Sequence, residues 1–384
     1  MPDAEVMSLA PNRLQIVLIL AFAGLGLLFA MPPRQTETPA NTAAAIRPDG
    51  VGPASVPRDY IWIARGRLIS LPMDGPAWEN VMAAARRPVS PPDLSDQDDP
   101  ANVHVLARAL VHARTGDAEQ RDTVIGACML AIGTEGGRTL ALGKELIAYV
   151  LAADLVGLPP AEDRRFRAWL ADLRHREFPS GKTLVSTHED RPNNWGTYAG
   201  ASLAAIAAYL GEAGELQRIA RIFKGWLGDR DAYAGFTYKS PGWQADPAHP
   251  VGINPAGATK NGHSIDGALP DDQRRGGDFQ WPPPRENYVY TALQGALATA
   301  IILDRAGYPV WEWEDRALLR AFQWLHEQAA YPARGDDGWQ PHVINYYYGA
   351  DFPAPVPARP GKNVGWTDWT HGAAPAPQQG GRAS

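Results

Sequence analysis

The feature that most constrains the fold of this chain is a helical spacing of apolar residues, interrupted by glycine and proline. Four segments show the spacing clearly: 101–115, 138–156, 195–210 and 288–305. Apolar residues three and four positions apart share one face of an α-helix, and glycine or proline ends a helix. The alternation typical of strands is scarce. The sequence therefore predicts an all-α fold of about ten helices, each of about 10 to 20 residues, arranged as stacked hairpins.

Three segments are too long to be simple connections between these helices. They cover 177–194, 229–287 and 329–384. Loops of such length in a compact domain are usually functional or disordered. Any single tryptophan is expected to pack in the core, but those in or beside these loops are better candidates for stacking on sugars than Trp169 and Trp324, which lie at helical spacing. These tryptophans are Trp195, Trp243, Trp281, Trp339, Trp366 and Trp369.

The N-terminus contains an apolar run from Leu14 to Met31, preceded by Arg13 and followed by two prolines. A run of about 18 residues is short for a membrane span and slightly long for the core of a secretory signal. We therefore expect residues 1–31 to be a cleaved signal peptide or an anchor in the inner membrane, and the protein to be periplasmic. The remaining predicted parts are a Pro-rich linker at 32–57, a folded domain at 58–375 and a disordered tail at 376–384.

Charge and cysteine content exclude several classes of protein. The formal net charge is −6 and the 36 lysines and arginines form no long run, so nucleic acid is not an expected partner. Cys128 is the one cysteine of the sequence, which excludes an internal disulfide framework and a cysteine-based zinc site. An anionic ligand must therefore bind a local group of basic residues.

Polar and aromatic residues are concentrated where the third of the four predicted helices begins. The segment 188–200 reads HEDRPNNWGTYAG and contains His188, Arg191, Asn193, Asn194 and Trp195. A single asparagine at this position would ordinarily only cap the helix. Two amides, an arginine, a histidine and a tryptophan together are also the groups that hold a carboxylate and stack on a sugar ring.

A second group of such residues lies in segment 261–294, before and within the start of the fourth predicted helix. Neighbouring arginines usually pair with acids, here Asp271 and Asp272. Taken together, however, the segment supplies cations for an anionic substrate and phenols for proton transfer. Its candidate residues are His263, Arg274, Arg275, Trp281, Arg285, Tyr288 and Tyr290.

These two segments resemble the alginate lyase family of bacterial polysaccharide lyases. The resemblance rests on Asn193-Asn194 opening a helix, and on Leu269-Pro270-x-Asp272-x-x-Arg275-Gly276 followed by Tyr288. The segments ARALVHARTGD at 107–117 and GWTDWTHG at 365–372 add support. The resemblance spans about residues 60–372. It implies an incomplete (α/α) toroid of helical hairpins with long loops, and β-elimination on an acidic polysaccharide such as alginate or glucuronan.

The resemblance also implies roles for the matched residues. Asn194 would bind and neutralise the substrate carboxylate, Arg275 would assist it, and Tyr288 would exchange protons with the sugar ring or the leaving oxygen. Removing the C5 proton of a uronate adds charge next to a carboxylate, so positioned donors lower the barrier. No metal or other cofactor is expected, because amide and guanidinium already supply the electrophile. We expect His188, Arg191, Asn193, Trp195, Arg274, Trp281, Arg285 and Tyr290 to bind substrate.

The chain departs from the family pattern at two places. Family members have a histidine directly after the second asparagine, where this chain has Trp195. The interval between Arg275 and Tyr288 is also longer, through the segment WPPPREN at 281–287. We expect His263, or else His188, to replace the missing imidazole as the base. The substitution leaves open which uronate is cut.

Two other functions stay open at this point. A glycoside hydrolase would need two carboxylates about 5 to 9.5 Å apart across a cleft. Asp190, Asp271, Asp272 and Asp368 are available, but each has an arginine nearby in sequence, which is typical of structural pairs. A periplasmic polysaccharide-binding or assembly protein without turnover would explain Trp195. A metal site built from His188, Glu189, Asp190 and His263 lacks helical histidine spacing. The sequence predicts no oligomeric state.

Overall fold

The computed structural model describes residues 59–88 and 90–372, all of which belong to the unit Pro57–Ser384. Helices make up 57% of the described residues and strands 1%, which confirms the all-α prediction. The elements are α1 (Arg65–Ser70), α2 (Gly75–Ala85), α3 (Ala101–Thr115), α4 (Ala118–Ala131), α5 (Thr139–Val156), α6 (Pro160–Leu173), α7 (Leu184–Asp190), α8 (Asn194–Leu210), α9 (Ala213–Leu227), β1 (Thr259–Lys260), β2 (His263–Ser264), α10 (Pro270–Gln273), α11 (Tyr288–Arg305), α12 (Trp313–Gln323), α13 (Gln340–Tyr348) and α14 (Thr367–Thr370). Short 3-10 turns at Arg274–Gly276, Val310–Glu312 and Gly335–Asp337 and a π turn at Trp324–Gln328 complete them.

The predicted export segment, the linker and the C-terminal tail lie outside the described residues. Within 59–88 and 90–372, the structure contains no helix with the length and apolar character needed to cross a membrane.

Helix boundaries follow the predicted stop signals closely. The predicted helices 101–115 and 288–305 are α3 and α11, and α5 and α8 each differ from their predicted segments by one residue. α3 ends at Gly116, whose φ of 78° lies in the left-handed region that glycine adopts without strain. Asp117 then starts α4, because its side chain accepts the backbone N–H groups of Glu119 and Gln120.

The longer helices form an inner and an outer layer. α3, α5, α8 and α11 are buried along almost their whole length and pack side by side in that order. α4, α6 and α9 pack against them from outside, and α12 packs on α9. Because inner and outer helices alternate along the chain, the inner helices begin at the same end of the domain. Contacts continue from α11 to α13, to α14 and back to α2. The predicted incomplete toroid stays a prediction.

Two glycines let α5 and α11 approach α8 from either side. A Cβ atom on Gly143 of α5 would lie 3.0 Å from the backbone nitrogen of Ala199, and one on Gly295 of α11 would lie 2.5 Å from that of Tyr198. Both distances are shorter than ordinary van der Waals contact. Both close contacts fall between Thr197 and Ala199, near the start of α8.

The segments predicted as long loops contain short elements, and several of their tryptophans belong to the core. Segment 177–194 includes α7, 229–287 includes the β1–β2 hairpin and α10, and 329–384 includes α13 and α14. Core packing, the expected role of any single tryptophan, is observed for Trp243, Trp339, Trp366 and Trp369, each of which is at most 2% exposed. Three of their indole N–H groups donate to backbone carbonyls, from Trp243 to Gly277, from Trp366 to Val103 and from Trp369 to Pro72.

Candidate active site

A cleft of about 340 Å³ lies where α5, α8 and α11 begin. Four of the predicted site residues line it: Asn194, Trp195, Arg275 and Tyr288. They come from three separate stretches of sequence, which the parallel arrangement of the inner helices brings to one place. The N-terminus of an α-helix has a partial positive charge. Three helix starts around one cleft therefore favour an anionic ligand.

Asn194 is the first residue of α8, and its side chain faces the cleft without a protein partner. The residue is 3% exposed, and its backbone N–H donates to the carboxylate of Asp272 over 3.2 Å. Among the described residues, none forms a hydrogen bond with its side-chain amide, and its Oδ1 atom is buried and unsatisfied. A buried amide of this kind has hydrogen-bonding capacity left for a ligand.

Two buried aspartates connect the two sequence motifs. Asp271 accepts hydrogen bonds from the side chain of Asn193 over 3.0 Å and from Arg274 over 2.9 Å, while Asp272 accepts from Asn194. Burial, and then the neighbouring charge of Asp271, raises the pKa of Asp272 well above its usual value. The acids of the LPDDQRRG segment therefore hold the start of α8 against the loop that carries Arg275.

Arg275 and Tyr288 form a pair at the wall of the cleft. The guanidinium carbon of Arg275 lies 3.6 Å from the centre of the Tyr288 ring, in a cation–π contact. Tyr288 begins α11 and is 39% exposed, and its backbone N–H donates to Glu286 over 3.0 Å. The phenol is thus accessible from the cleft and held beside a positive charge.

Three further cations line the cleft, and reasoning from sequence missed them. They are Arg138, Lys144 and Lys362. The ammonium group of Lys144 donates to the carbonyl of Gln97 over 2.6 Å, and that of Lys362 pairs with Asp98 at 2.7 Å. Burial lowers the pKa of Lys144. The Lys144-Glu145 pair inside an otherwise apolar helix was the available signal, since charged residues are almost never fully buried without a reason.

Positive side chains outnumber negative ones around the cleft. Arg138, Lys144, Arg275 and Lys362 are its cations, and among the described residues that line it Glu286 is the one carboxylate. The formal charge of the cleft is therefore opposite to that of the whole chain. This is the local basic group that the net charge of −6 required for an anionic ligand.

His188 and Asn193 make structural contacts in place of the predicted substrate contacts. His188 is buried beneath α8, where its Nδ1–H donates to the carbonyl of Gly196 over 3.0 Å. Burial lowers its pKa to about 4. Asn193 caps α8, because its side-chain oxygen accepts the backbone N–H of Trp195. Asn193 thus makes the capping contact that a single asparagine at this position would ordinarily make.

Arg274 and Tyr290 likewise turn away from the cleft. Arg274 forms an ion pair with Asp271, and the hydroxyl of Tyr290 donates to the carbonyl of Tyr331 over 2.5 Å. Tyr290 is 1% exposed. Residues two positions apart on a helix point in nearly opposite directions, about 200° apart. Tyr288 therefore faces the cleft and Tyr290 faces the core.

His263 lies on the β1–β2 hairpin, where its ring stacks on Trp281 at 4.3 Å with an interplanar angle of 7°. Neither residue lines the cleft, and Arg285 does not line it either.

Arg191 also lies outside the cleft lining. Its guanidinium carbon is 5.4 Å from the ring centre of Trp195, so it supports that ring from outside. The described lining contains no histidine, so neither His263 nor His188 occupies the place of the missing imidazole. Within the described residues, no group of three or more histidine, cysteine or acidic side chains is placed to hold a metal.

Comparison with known proteins gives one family match. Residues 131–235 match the family model described as alginate lyase. This segment includes Arg138, Lys144 and Asn194, whereas Arg275 and Tyr288 lie beyond it. No curated protein matches the chain. The family match supports polysaccharide lyase activity, and over residues 131–235 it confirms the resemblance to the alginate lyase family that the sequence motifs predicted.

Proposed function

We propose that this protein cleaves a uronic-acid-containing polysaccharide by β-elimination in the cleft. The observation that carries the proposal is that Asn194, Arg275 and Tyr288, which are distant in sequence, line one electropositive cleft. These are an amide, a guanidinium and a phenol, the three groups that the reaction requires. We propose also that the protein acts in the periplasm, on the basis of the apolar run at 14–31.

The amide of Asn194 and the guanidinium of Arg275 would bind the carboxylate of the uronate. As the C5 proton leaves, negative charge moves from C5 into that carboxylate. Donors that are already oriented stabilise this charge without reorganisation. Because the Asn194 amide has no partner among the described residues, a substrate carboxylate would not have to displace a protein group.

Tyr288 would carry the proton. As the tyrosinate it takes the C5 proton, a double bond forms between C4 and C5, and the bond from C4 to the leaving oxygen breaks. The proton is then returned from Tyr288 to that oxygen. Arg275 lies against the face of the ring and would hold the phenol at the substrate. One group can serve both steps only if the C5 hydrogen and the C4 oxygen lie on the same side of the sugar.

This geometry restricts the substrate. In D-mannuronate and D-glucuronate the C5 hydrogen and the C4 oxygen are gauche, so a single phenol reaches both. In L-guluronate and D-galacturonate they are anti, and a second group on the opposite face would be required. We therefore propose polymannuronate or glucuronan units as the substrate, in preference to polyguluronate or polygalacturonate.

The hydrolase alternative lacks its second carboxylate. Glu286 is the one carboxylate among the described residues that line the cleft, and hydrolysis needs two. Asp190 pairs with Lys182 at 3.0 Å, Asp271 with Arg274, and Asp368 accepts the backbone N–H of Ala358. Asp272 holds the start of α8. All four aspartates are thus engaged in structural contacts.

The test is to incubate the purified protein with polymannuronate, glucuronan, polyguluronate and polygalacturonate and to follow the ultraviolet absorbance of the unsaturated product. We expect absorbance with the first two. Tyr288→Phe should abolish it and retain substrate binding, whereas the matched variant Tyr290→Phe should retain activity. New reducing ends without absorbance would establish a hydrolase. Binding without either product would establish a polysaccharide-binding protein.

A further inference from the structure

A second cavity, of about 660 Å³, adjoins the cleft. Gln97 and Lys362 belong to the walls of both, so a polymer lying in the cleft would continue directly into this space. The boundary between the cleft and the second cavity lies at α5, where Lys144 lines the cleft and the next residue, Glu145, lines the second cavity. We call this space the Glu145 cavity.

Glu145 is the unusual residue of this cavity. It is 1% exposed, and neither carboxyl oxygen has a hydrogen-bond partner among the described residues. Leaving a buried carboxyl group unsatisfied is costly, and such a group in a folded protein calls for an explanation. Its place in the cavity wall gives one, because a bound molecule can supply the missing hydrogen bonds.

The surroundings of Glu145 disfavour negative charge. Burial raises the pKa of Glu145 well above its usual value; Lys144 has the next largest effect and opposes it, and the carboxylates Asp99, Asp96 and Asp98 add to the rise. The same loss of water would disfavour a carboxylate that a substrate placed against Glu145. A protonated carboxyl group both donates and accepts one hydrogen bond, which matches a sugar hydroxyl.

Trp366 forms a buried part of the wall: it is 2% exposed, and its indole N–H donates to the carbonyl of Val103 over 3.1 Å, which holds the ring in place. The cations Arg87 and Arg359 of the wall are exposed, so water screens their charges, and the third, Lys362, pairs with Asp98 at 2.7 Å.

We propose that the Glu145 cavity is the subsite for the sugar next to the cleaved uronate, and that it selects an uncharged sugar whose hydroxyl groups bind Glu145. This inference rests on the proposed lyase function and narrows it. The preferred substrate would be a heteropolysaccharide in which uncharged sugars adjoin the uronates. A continuous polyuronate would place a carboxylate in the cavity and would bind less well.

The test compares binding of two probes to the inactive Tyr288→Phe protein by calorimetry. Glucuronan oligosaccharides present a carboxylate on every sugar, whereas hyaluronan oligosaccharides have an uncharged N-acetylglucosamine at O4 of each glucuronate. We expect tighter binding of the hyaluronan probe. Glu145→Leu should weaken it by about tenfold, the value of one or two hydrogen bonds, and should change glucuronan binding by less than about threefold. Glu145→Gln, which keeps a donor and an acceptor, should bind like the parent.

Tyr149→Phe is the matched control. Tyr149 lies one turn further along α5, and its hydroxyl is buried and unpartnered in the described part of the chain, but it does not line the cavity. This variant should leave both affinities unchanged. Equal affinity of the parent for the two probes, no hyaluronan binding, or equal weakening of both probes by Glu145→Leu would overturn the subsite. Selective binding by a Tyr288-containing protein that releases no unsaturated product would instead refute the lyase function and leave the subsite standing.

Discussion

The close approach of α11 to α8 predicts that Gly295→Ala separates the two helices that carry Tyr288 and Asn194. A Cβ atom at this position would lie 2.5 Å from the backbone nitrogen of Tyr198 and 2.6 Å from the carbonyl oxygen of Thr197. Ordinary contact begins at 3.4 Å, and 3.4 minus 2.5 leaves 0.9 Å. Both obstacles are backbone atoms, so no side-chain rotation can relieve the overlap.

Separation by this amount has two measurable effects. Overpacking of a buried helix contact costs about 1–3 kcal/mol of unfolding free energy. The better helix propensity of alanine offsets up to about 1 kcal/mol of it. Displacement of catalytic groups by about 1 Å can lower turnover by about 100-fold. Gly295 lies two turns from Tyr288 on α11, and Thr197 lies one turn from Asn194 on α8. The displacement would therefore act directly on the distance between these two groups.

The assay measures kcat/KM from product absorbance together with unfolding in urea. Gly126→Ala is the matched control, because Gly126 lies inside α4 with nothing within 4 Å of an added Cβ atom. We expect the control to gain up to about 1 kcal/mol and keep its activity. If Gly295→Ala matched the wild type in both stability and kcat/KM, the argument that close helix contact sets the cleft geometry would fail.

Three further predictions concern single buried or cleft residues. Asp272→Asn keeps the acceptor for the Asn194 N–H, so its unfolding free energy in urea should match that of the wild type. Asp272→Ala removes the acceptor and should lower the unfolding free energy by about 1–3 kcal/mol. Equal losses in the two variants would contradict the positioning role of Asp272. Burial lowers the pKa of His188 from 6.5 to about 4, so its stabilising contribution is present above pH 6.5 and is lost as pH falls toward 4. Between pH 7 and pH 5, the unfolding free energy of the wild type, measured in urea, should fall by about 2 kcal/mol more than that of His188→Gln. Equal falls in unfolding free energy for the two proteins would contradict this. Lys144→Met should raise the KM for glucuronan about tenfold and make that KM less sensitive to salt, whereas Lys239→Met, at an exposed position, should change neither. Unchanged kinetics in both variants would show that Lys144 does not bind the substrate.

The helical part of the fold was predictable because its signals are local. An apolar stripe at helical spacing and the glycine at its end involve residues within a few turns of one another, so α3 and α11 were predicted to the residue. The tryptophans show the opposite case. Trp243 and Trp369 lie in irregular sequence, where no local pattern decides between core packing and sugar stacking; distant backbone carbonyls accept their indole N–H groups, and the rings pack into the core.

Neighbouring residues of the same type divide between cleft and core in ways that composition does not reveal. Arg274 pairs with Asp271 whereas Arg275 reaches the cleft, and Tyr290 is buried whereas Tyr288 is accessible. The choice depends on which helix lies opposite each side chain. The resemblance identified Arg275 and Tyr288 through their motif, and the chain itself contains no local signal that separates them from their neighbours.

The sequence by itself determined the helices and their ends, because each depends on residues close along the chain. The pairing of an amide motif with an arginine and tyrosine motif came from the family resemblance that the two motifs carry. Only the tertiary structure decided that Arg138, Lys144 and Lys362 join Arg275 around one cleft, and that Glu145 lines the adjoining cavity. Those residues come from three separate stretches of the chain, around 138–145, at 275 and at 362, and they meet where the inner helices begin. That arrangement results from packing the apolar faces of all the helices together, which no single segment encodes.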